Sequence, residues 1–141
     1  MALPILASPE IADIYIDESS TQLRYLVLGA IIIPCSNYDG FIDLLRIARL
    51  PELPHNEMKW VKVSRTKLPA YVRFVDVFFN HRRGIIDFHS VVIDRSRQKH
   101  EIFNQGSREI GFNKEVYQLA LKCGRLHPNI FHVYPDRRET N

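Results

Sequence analysis

Two apolar runs lie almost back to back near the start of the chain. Ala12–Asp17 and Gln22–Ile33 are separated only by the short polar connector Glu18–Thr21. Both runs are rich in aliphatic, β-branched or aromatic residues, which suits pleated strands. So short a connector cannot carry a crossover, which needs a dozen residues or more, so the two strands must pair as antiparallel neighbours. Their near-continuous apolarity implies burial on both faces, and therefore helices on both sides of the sheet. At 141 residues the chain has the length of one domain and can bury a core without disulfides or a structural metal.

The remaining punctuation fills in an α/β pattern. Pro34 closes the second run, and Ser36 or Asn37 can cap a helix over Asp39–Leu50 with Phe41, Leu44, Leu45 and Ala48 on one face. Pro51, Pro54 and His55 mark a loop. Glu57–Val63 alternates loosely and reads as a short third strand, with Glu57 and Lys59 on one side and Trp60 turned into the core. A helix is predicted over Lys67–His81, with Pro69 in its first turn, Leu68, Val72, Val75, Phe78 and Phe79 on its apolar face, and Gly84 as its stop. Ile85–Ile93 reads as a fourth strand closed by Asp94, and the basic stretch Arg95–Ser107 as a loop. Asn113 can cap a helix to Cys123 with Val116, Leu119, Ala120 and Cys123 inward and Gly124 as its stop. Asn129–Tyr134 is a fifth strand, with Asp136 just past it. The expected fold is one mixed sheet of about five strands flanked by helices. Another helix would complete the second face, so a natural C-terminus beyond Asn141 is expected.

Several chemistries are excluded. Cys35 and Cys123 have no C-x-x-C partner, cannot make a zinc site by themselves, and read as reduced, partly buried thiols of a cytoplasmic protein. His55, His81, His100, His127 and His132 form no H-x-x-H or H-E-x-x-H pattern, and His89, in mid-strand, reads as hydrogen-bonded packing. Ser19 and Ser20 lack the G-x-S-x-G context of a serine nucleophile. There is no P-loop and no dinucleotide-binding glycine pattern. Met1–Glu10 has no basic leader region and is broken by Pro4 and Pro9, so it is no signal peptide. No apolar run reaches the roughly 18 residues that span a membrane. A soluble protein with no membrane partner is expected. The net charge of +3 permits a polyanionic partner without requiring one.

What stands out is acid at strand ends. Asp17, Glu18, Glu57, Asp94 and Asp136 each lie at or beside the end of a predicted strand. Functional groups of open α/β sheets gather at the carboxyl ends of strands. If the first, fourth and fifth strands are parallel, Asp17, Asp94 and Asp136 share one edge. Carboxylates so gathered repel each other, and hard divalent cations remove that cost. Mg2+ or Mn2+ prefers oxygen ligands, and two such ions ~3.5–4 Å apart serve an in-line phosphoryl displacement. Lys59, on the same side as Glu57, can balance charge or hold a phosphate. Arg82-Arg83, Arg95 through Lys99 and Arg137-Arg138 suit a phosphodiester backbone. Taken singly, each acid could equally be a cap or a solvated strand end, and alternation sends Glu18 to the face opposite Asp17.

The segments Tyr15-Ile16-Asp17-Glu18-Ser19, Glu57-Met58-Lys59, Phe88-His89-Ser90-Val91-Val92-Ile93-Asp94 and Val133-Tyr134-Pro135-Asp136-Arg137 together resemble the domain of unknown function 3800 family, which is similar to the ribonuclease H-like superfamily. The resemblance covers nearly the whole chain. It implies a ribonuclease H-like mixed sheet opened by antiparallel strands, helices on both sides, and a metal-dependent nuclease site. It makes Asp17 the central ligand, Glu57 the glutamate of a Glu-x-Lys motif, and Asp136 the late aspartate, with Asp94 and Glu18 beside them. Ser20 departs from the glycine usual after Asp-Glu-Ser. The expected activity is two-metal phosphodiester hydrolysis, and the alternative is a non-catalytic module on the same fold that binds nucleic acid or protein.

Overall fold

The computed structural model describes residues 10–19, 23–55, 57–81, 86–127 and 130–136. Ser20, Arg82, Arg83, Gly84, Arg137 and Arg138, named above, lie outside them. The chain divides into two compact units, Met1–Cys35 with Phe88–Asn141, and Ser36–Asp87.

The first unit is built on a mixed sheet of β1 (Ile11–Ser19), β2 (Tyr25–Pro34), β3 (Asp87–Asp94) and β4 (Ile130–Pro135), in the order β3-β2-β1-β4. β1 runs antiparallel to β2, with Asp17 opposite Gly29, and parallel to β4, with Tyr15 beside Tyr134. The Arg95 amide donates to the Arg24 carbonyl at 2.9 Å, which joins the residue after β3 to the residue before β2 and makes that pair antiparallel too. So β1, β3 and β4 run the same way, β2 alone opposes them, and three carboxyl ends meet at one end of the sheet.

Burial along β1 and β2 alternates instead of covering both faces as the apolar runs suggested. Ala12, Ile14 and Ile16 of β1 and Leu26, Leu28, Ala30 and Ile32 of β2 are buried and cluster with Leu119 and Cys123 of α4 (Arg108–Leu126). Each buried Ile or Leu contributes about 1.5–3 kcal/mol. Phe112, Val116 and Ala120 extend the same α4 stripe at helical spacing. Asp13, Tyr15 and Asp17 turn to the opposite face.

α4 begins earlier than its expected cap at Asn113. Ser107 is the cap, accepting the Ile110 amide at 3.2 Å, after a turn in which Gln105 and Gly106 take positive φ. Nor does Gly124 stop the helix. The helix runs on to Leu126, and a Cβ at Gly124 would make only ordinary contact, at 3.8 Å, with the Phe131 ring of β4. The stretch read as loop contains a 3-10 turn, Arg95–Arg97, and the short helix α3 (His100–Phe103). α3 sits close to α4 at Gly111, where a Cβ would meet the His100 ring and the Asn104 amide at 2.8 Å.

The second unit packs α1 (Tyr38–Ala48) against α2 (Leu68–His81). Phe41 and Ala48 of α1 are buried, as are Leu53 and, in α2, Ala70 and Tyr71. Arg73 donates to the Ala48 carbonyl at 3.0 Å and pairs with Glu52, whose carboxyl it holds below the ordinary range. The expected apolar face of α2 is corrected here: Leu68, Val72, Val75 and Phe79 are exposed. Apolar residues cover more than half of this helix's circumference, and only the Ala70 and Tyr71 part of that arc is buried.

The expected strand over Glu57–Val63 is absent, and the described sheet has four strands instead of about five. The Tyr71 hydroxyl donates to the Lys59 carbonyl at 2.8 Å and accepts the Lys59 amide at 3.2 Å. One side chain thus takes both backbone groups that a strand would offer to its ladder. A 3-10 turn, Trp60–Lys62, follows, and Trp60 is 83% exposed instead of turned into the core. Among the described residues, no helix is long and apolar enough to cross a membrane.

Candidate functional site

The parallel register of β1 and β4 sets matched residues side by side on the face away from α4. Asp13 stands beside His132 and Tyr15 beside Tyr134. The Asp136 amide donates to the Ile16 carbonyl at 2.8 Å, so the ladder continues past β4 and brings Asp136 level with Asp17. Both acids are exposed at the carboxyl ends of adjacent parallel strands. Asp17 Oδ1 also accepts the Glu18 amide at 2.7 Å, which fixes the carboxylate against its own backbone.

Asp17 and Asp136 line an open cleft of about 630 Å³. Glu18 and Ser19 border it, and Val27, Gly29, Ile31 and Phe88 give it an apolar floor. Gly29 matters here because a Cβ would come within 3.3 Å of the Phe88 ring. The bare backbone opposite Asp17 therefore lets that ring lie across β2. Tyr15 and Tyr134 form the wall, stacked with centroids 5.1 Å apart and planes at 16°.

Asp94 does not line this cleft. Arg24 grips it with Nε 3.2 Å from Oδ1 and Nη2 2.9 Å from Oδ2. The Ser96 hydroxyl and amide donate to Oδ1 at 2.6 and 3.1 Å. These bonds, Arg24's first and Ser96's next, hold the carboxyl far below the usual carboxylate range. In this arrangement Asp94 caps the turn after β3 and anchors Arg24. Arg24, Arg95, His100 and Arg108 line a polar depression of about 490 Å³ near the end of β3.

Glu57 and Lys59 belong to the second unit, where their side chains pair at 2.9 Å with both groups well exposed. Such surface pairs add little stability. His89 is engaged in packing as expected, its Nε2 lying 3.1 Å from Nε2 of His127.

Sequence reasoning missed one constellation. His132 Nδ1 lies 3.1 Å and Cys35 Sγ 3.7 Å from Asp13 Oδ1. Cys35 is exposed, against the expectation of partial burial, and only Cys123 is buried. No spacing motif links positions 13, 35 and 132. The detectable signal was the alternation of β1, which puts Asp13, Tyr15 and Asp17 on one face. No family model, curated protein or solved structure matches this chain.

Proposed function

We propose that the chain is a ribonuclease H-like nuclease that hydrolyses phosphodiester bonds with Mg2+ or Mn2+, centred on Asp17 and Asp136. The observation that carries this reading is the pairing of those two acids at the carboxyl ends of adjacent parallel strands. A mixed sheet opened by an antiparallel pair is also what the resemblance implies. The donor set fits hard cations: two carboxylates with only oxygen to offer, like-charged and exposed to solvent. Bound there, the ions would supply the Lewis acidity that activates water and stabilises the leaving oxygen.

The chain's own residues do the rest. Asp17 and Asp136 hold the charge, with Glu18 at the rim. Phe88 and Tyr134, about half exposed in the cleft, offer faces on which bases can stack. Arg24, oriented by Asp94, and Arg95 offer contacts to backbone phosphates. The resemblance adds Glu57 as a further ligand and Lys59 as its charge balance, and Glu57→Gln tests that addition. The basic depression beside β3 favours a second reading, a nucleic-acid-binding module without catalysis.

The test is a cleavage assay on single- and double-stranded DNA and RNA with Mn2+, comparing the full-length protein with its Asp17→Asn variant. Cleavage that needs Mn2+ and disappears in the variant supports the nuclease. Undiminished cleavage by Asp17→Asn overturns the site. Binding without cleavage by the parent selects the second reading.

A further inference from the structure

At the other end of the β1–β4 face, we propose that Asp13, Cys35 and His132 form a site for a borderline divalent transition metal, with Zn2+ as its natural occupant. The three come from β1, the residue just after β2, and β4, so the sheet itself assembles them. One ligand atom from each, a carboxylate oxygen, the Cys35 Sγ and a ring nitrogen, lies within 4.8 Å of the other two. A tetrahedral zinc ion has ligand bonds near 2.0–2.1 Å to oxygen and nitrogen and near 2.3 Å to sulfur, so its O···N edge is roughly 3.3 Å and its O···S edge roughly 3.5 Å. The measured edges are 3.1 Å for Asp13–His132 and 3.7 Å for Asp13–Cys35. The two edges at Asp13 therefore match a zinc tetrahedron to within a few tenths of an ångström, and the Cys35–His132 edge is within 4.8 Å.

The donor chemistry separates this site from the one at Asp17. One thiolate, one imidazole and one carboxylate suit Zn2+ and disfavour Mg2+, which seeks oxygen alone. Asp17 lies four positions further along β1, roughly 13 Å at 3.3 Å per residue, so the two sites share no ligand. A supporting shell is present as well. The Tyr15 hydroxyl donates to Asp13 Oδ2 at 3.4 Å, leaving Oδ1 for the metal. Three protein ligands leave a fourth position open to water or another donor. Binding releases the Cys35 thiol proton to solvent.

The experiment uses Co2+ as a spectroscopic stand-in for Zn2+, added to the reduced full-length protein. One equivalent is expected to give a thiolate-to-cobalt charge-transfer band and tetrahedral d–d bands, both erased by Zn2+. Cys35→Ser abolishes the charge-transfer band, and His132→Gln weakens binding at least 10-fold. Tyr15→Phe weakens it by on the order of 10-fold through the supporting shell. Asp17→Asn leaves the band unchanged, so the outcome is independent of the nuclease assay. No charge-transfer band in the parent, or a band that survives Cys35→Ser, overturns the proposal and leaves Asp13–His132 as a plain hydrogen-bonded pair. Circular dichroism of each variant confirms that lost binding is not lost folding.

Discussion

Tyr15 and Tyr134 stack at 5.1 Å between two polar pairs, Asp13–His132 on one side and Asp17–Asp136 on the other. The stack is the apolar step in a ladder whose ends carry different donor chemistry. It also ties the edge strand β4 to β1 at the point where both polar pairs depend on register. A stacked aromatic pair contributes about 0.5–1.5 kcal/mol beyond area burial. Tyr134→Ala is expected to destabilise the protein by about 1–2 kcal/mol, and Tyr134→Phe to be nearly neutral. A double-mutant cycle with Tyr15→Ala in urea should return a coupling in the stacking range. A coupling of zero would mean that the rings do not hold the register.

Asp94 and Arg24 make stability depend on acid. Arg24 and Ser96 depress the Asp94 carboxyl in the folded chain, whereas the unfolded carboxyl titrates near 3.9. The contribution is therefore fully present above about pH 4 and is lost as pH falls through the folded value. Urea midpoints between pH 7 and pH 2 should fall for the parent. Asp94→Asn should start less stable at pH 7 and show a flatter acid limb. Equal slopes would remove this pair from the account of acid sensitivity.

Much of the fold could be read from the chain because local signals agreed with the packing. The tight connector after Asp17 forced the β1–β2 pair, and the Val116, Leu119, Ala120, Cys123 stripe gave the covering helix. The misread third strand is a case of tertiary contact overriding local pattern. Tyr71 captured the Lys59 backbone and removed a strand. In the site, strand ends suggested one edge for Asp17, Asp94 and Asp136 only if their strands ran parallel, and the β1–β4 register sets Asp136 beside Asp17 while Asp94 lies outside their cleft. The joining of Asp13 with His132 needed the parallel register of two strands distant in sequence.

The Tyr71 clamp predicts how the Glu57–Lys59 segment is held. Tyr71→Phe leaves the Lys59 amide and carbonyl without the hydroxyl that satisfies both. Partners lost at a part-buried position cost about 1–3 kcal/mol. Hydrogen exchange at the Lys59 amide should quicken well beyond the change in global stability. Unchanged exchange there would show that the hydroxyl does not hold this segment.

Asp17 and Asp136 set like charges beside each other across β1 and β4. Like charges so placed are destabilising. Asp17→Asn keeps the Oδ1 atom that accepts the Glu18 amide but removes the charge. In chelator the variant should therefore be as stable as the parent or more so, by up to about 1 kcal/mol. Adding Mn2+ should reverse the order, because a cation that binds only the folded state raises its stability with the logarithm of its excess over the dissociation constant. The parent's melting temperature should climb with Mn2+ while the variant's stays flat. The two measurements separate a functional carboxylate from a structural one: a structural Asp17 would lower stability when neutralised and leave the Mn2+ response intact.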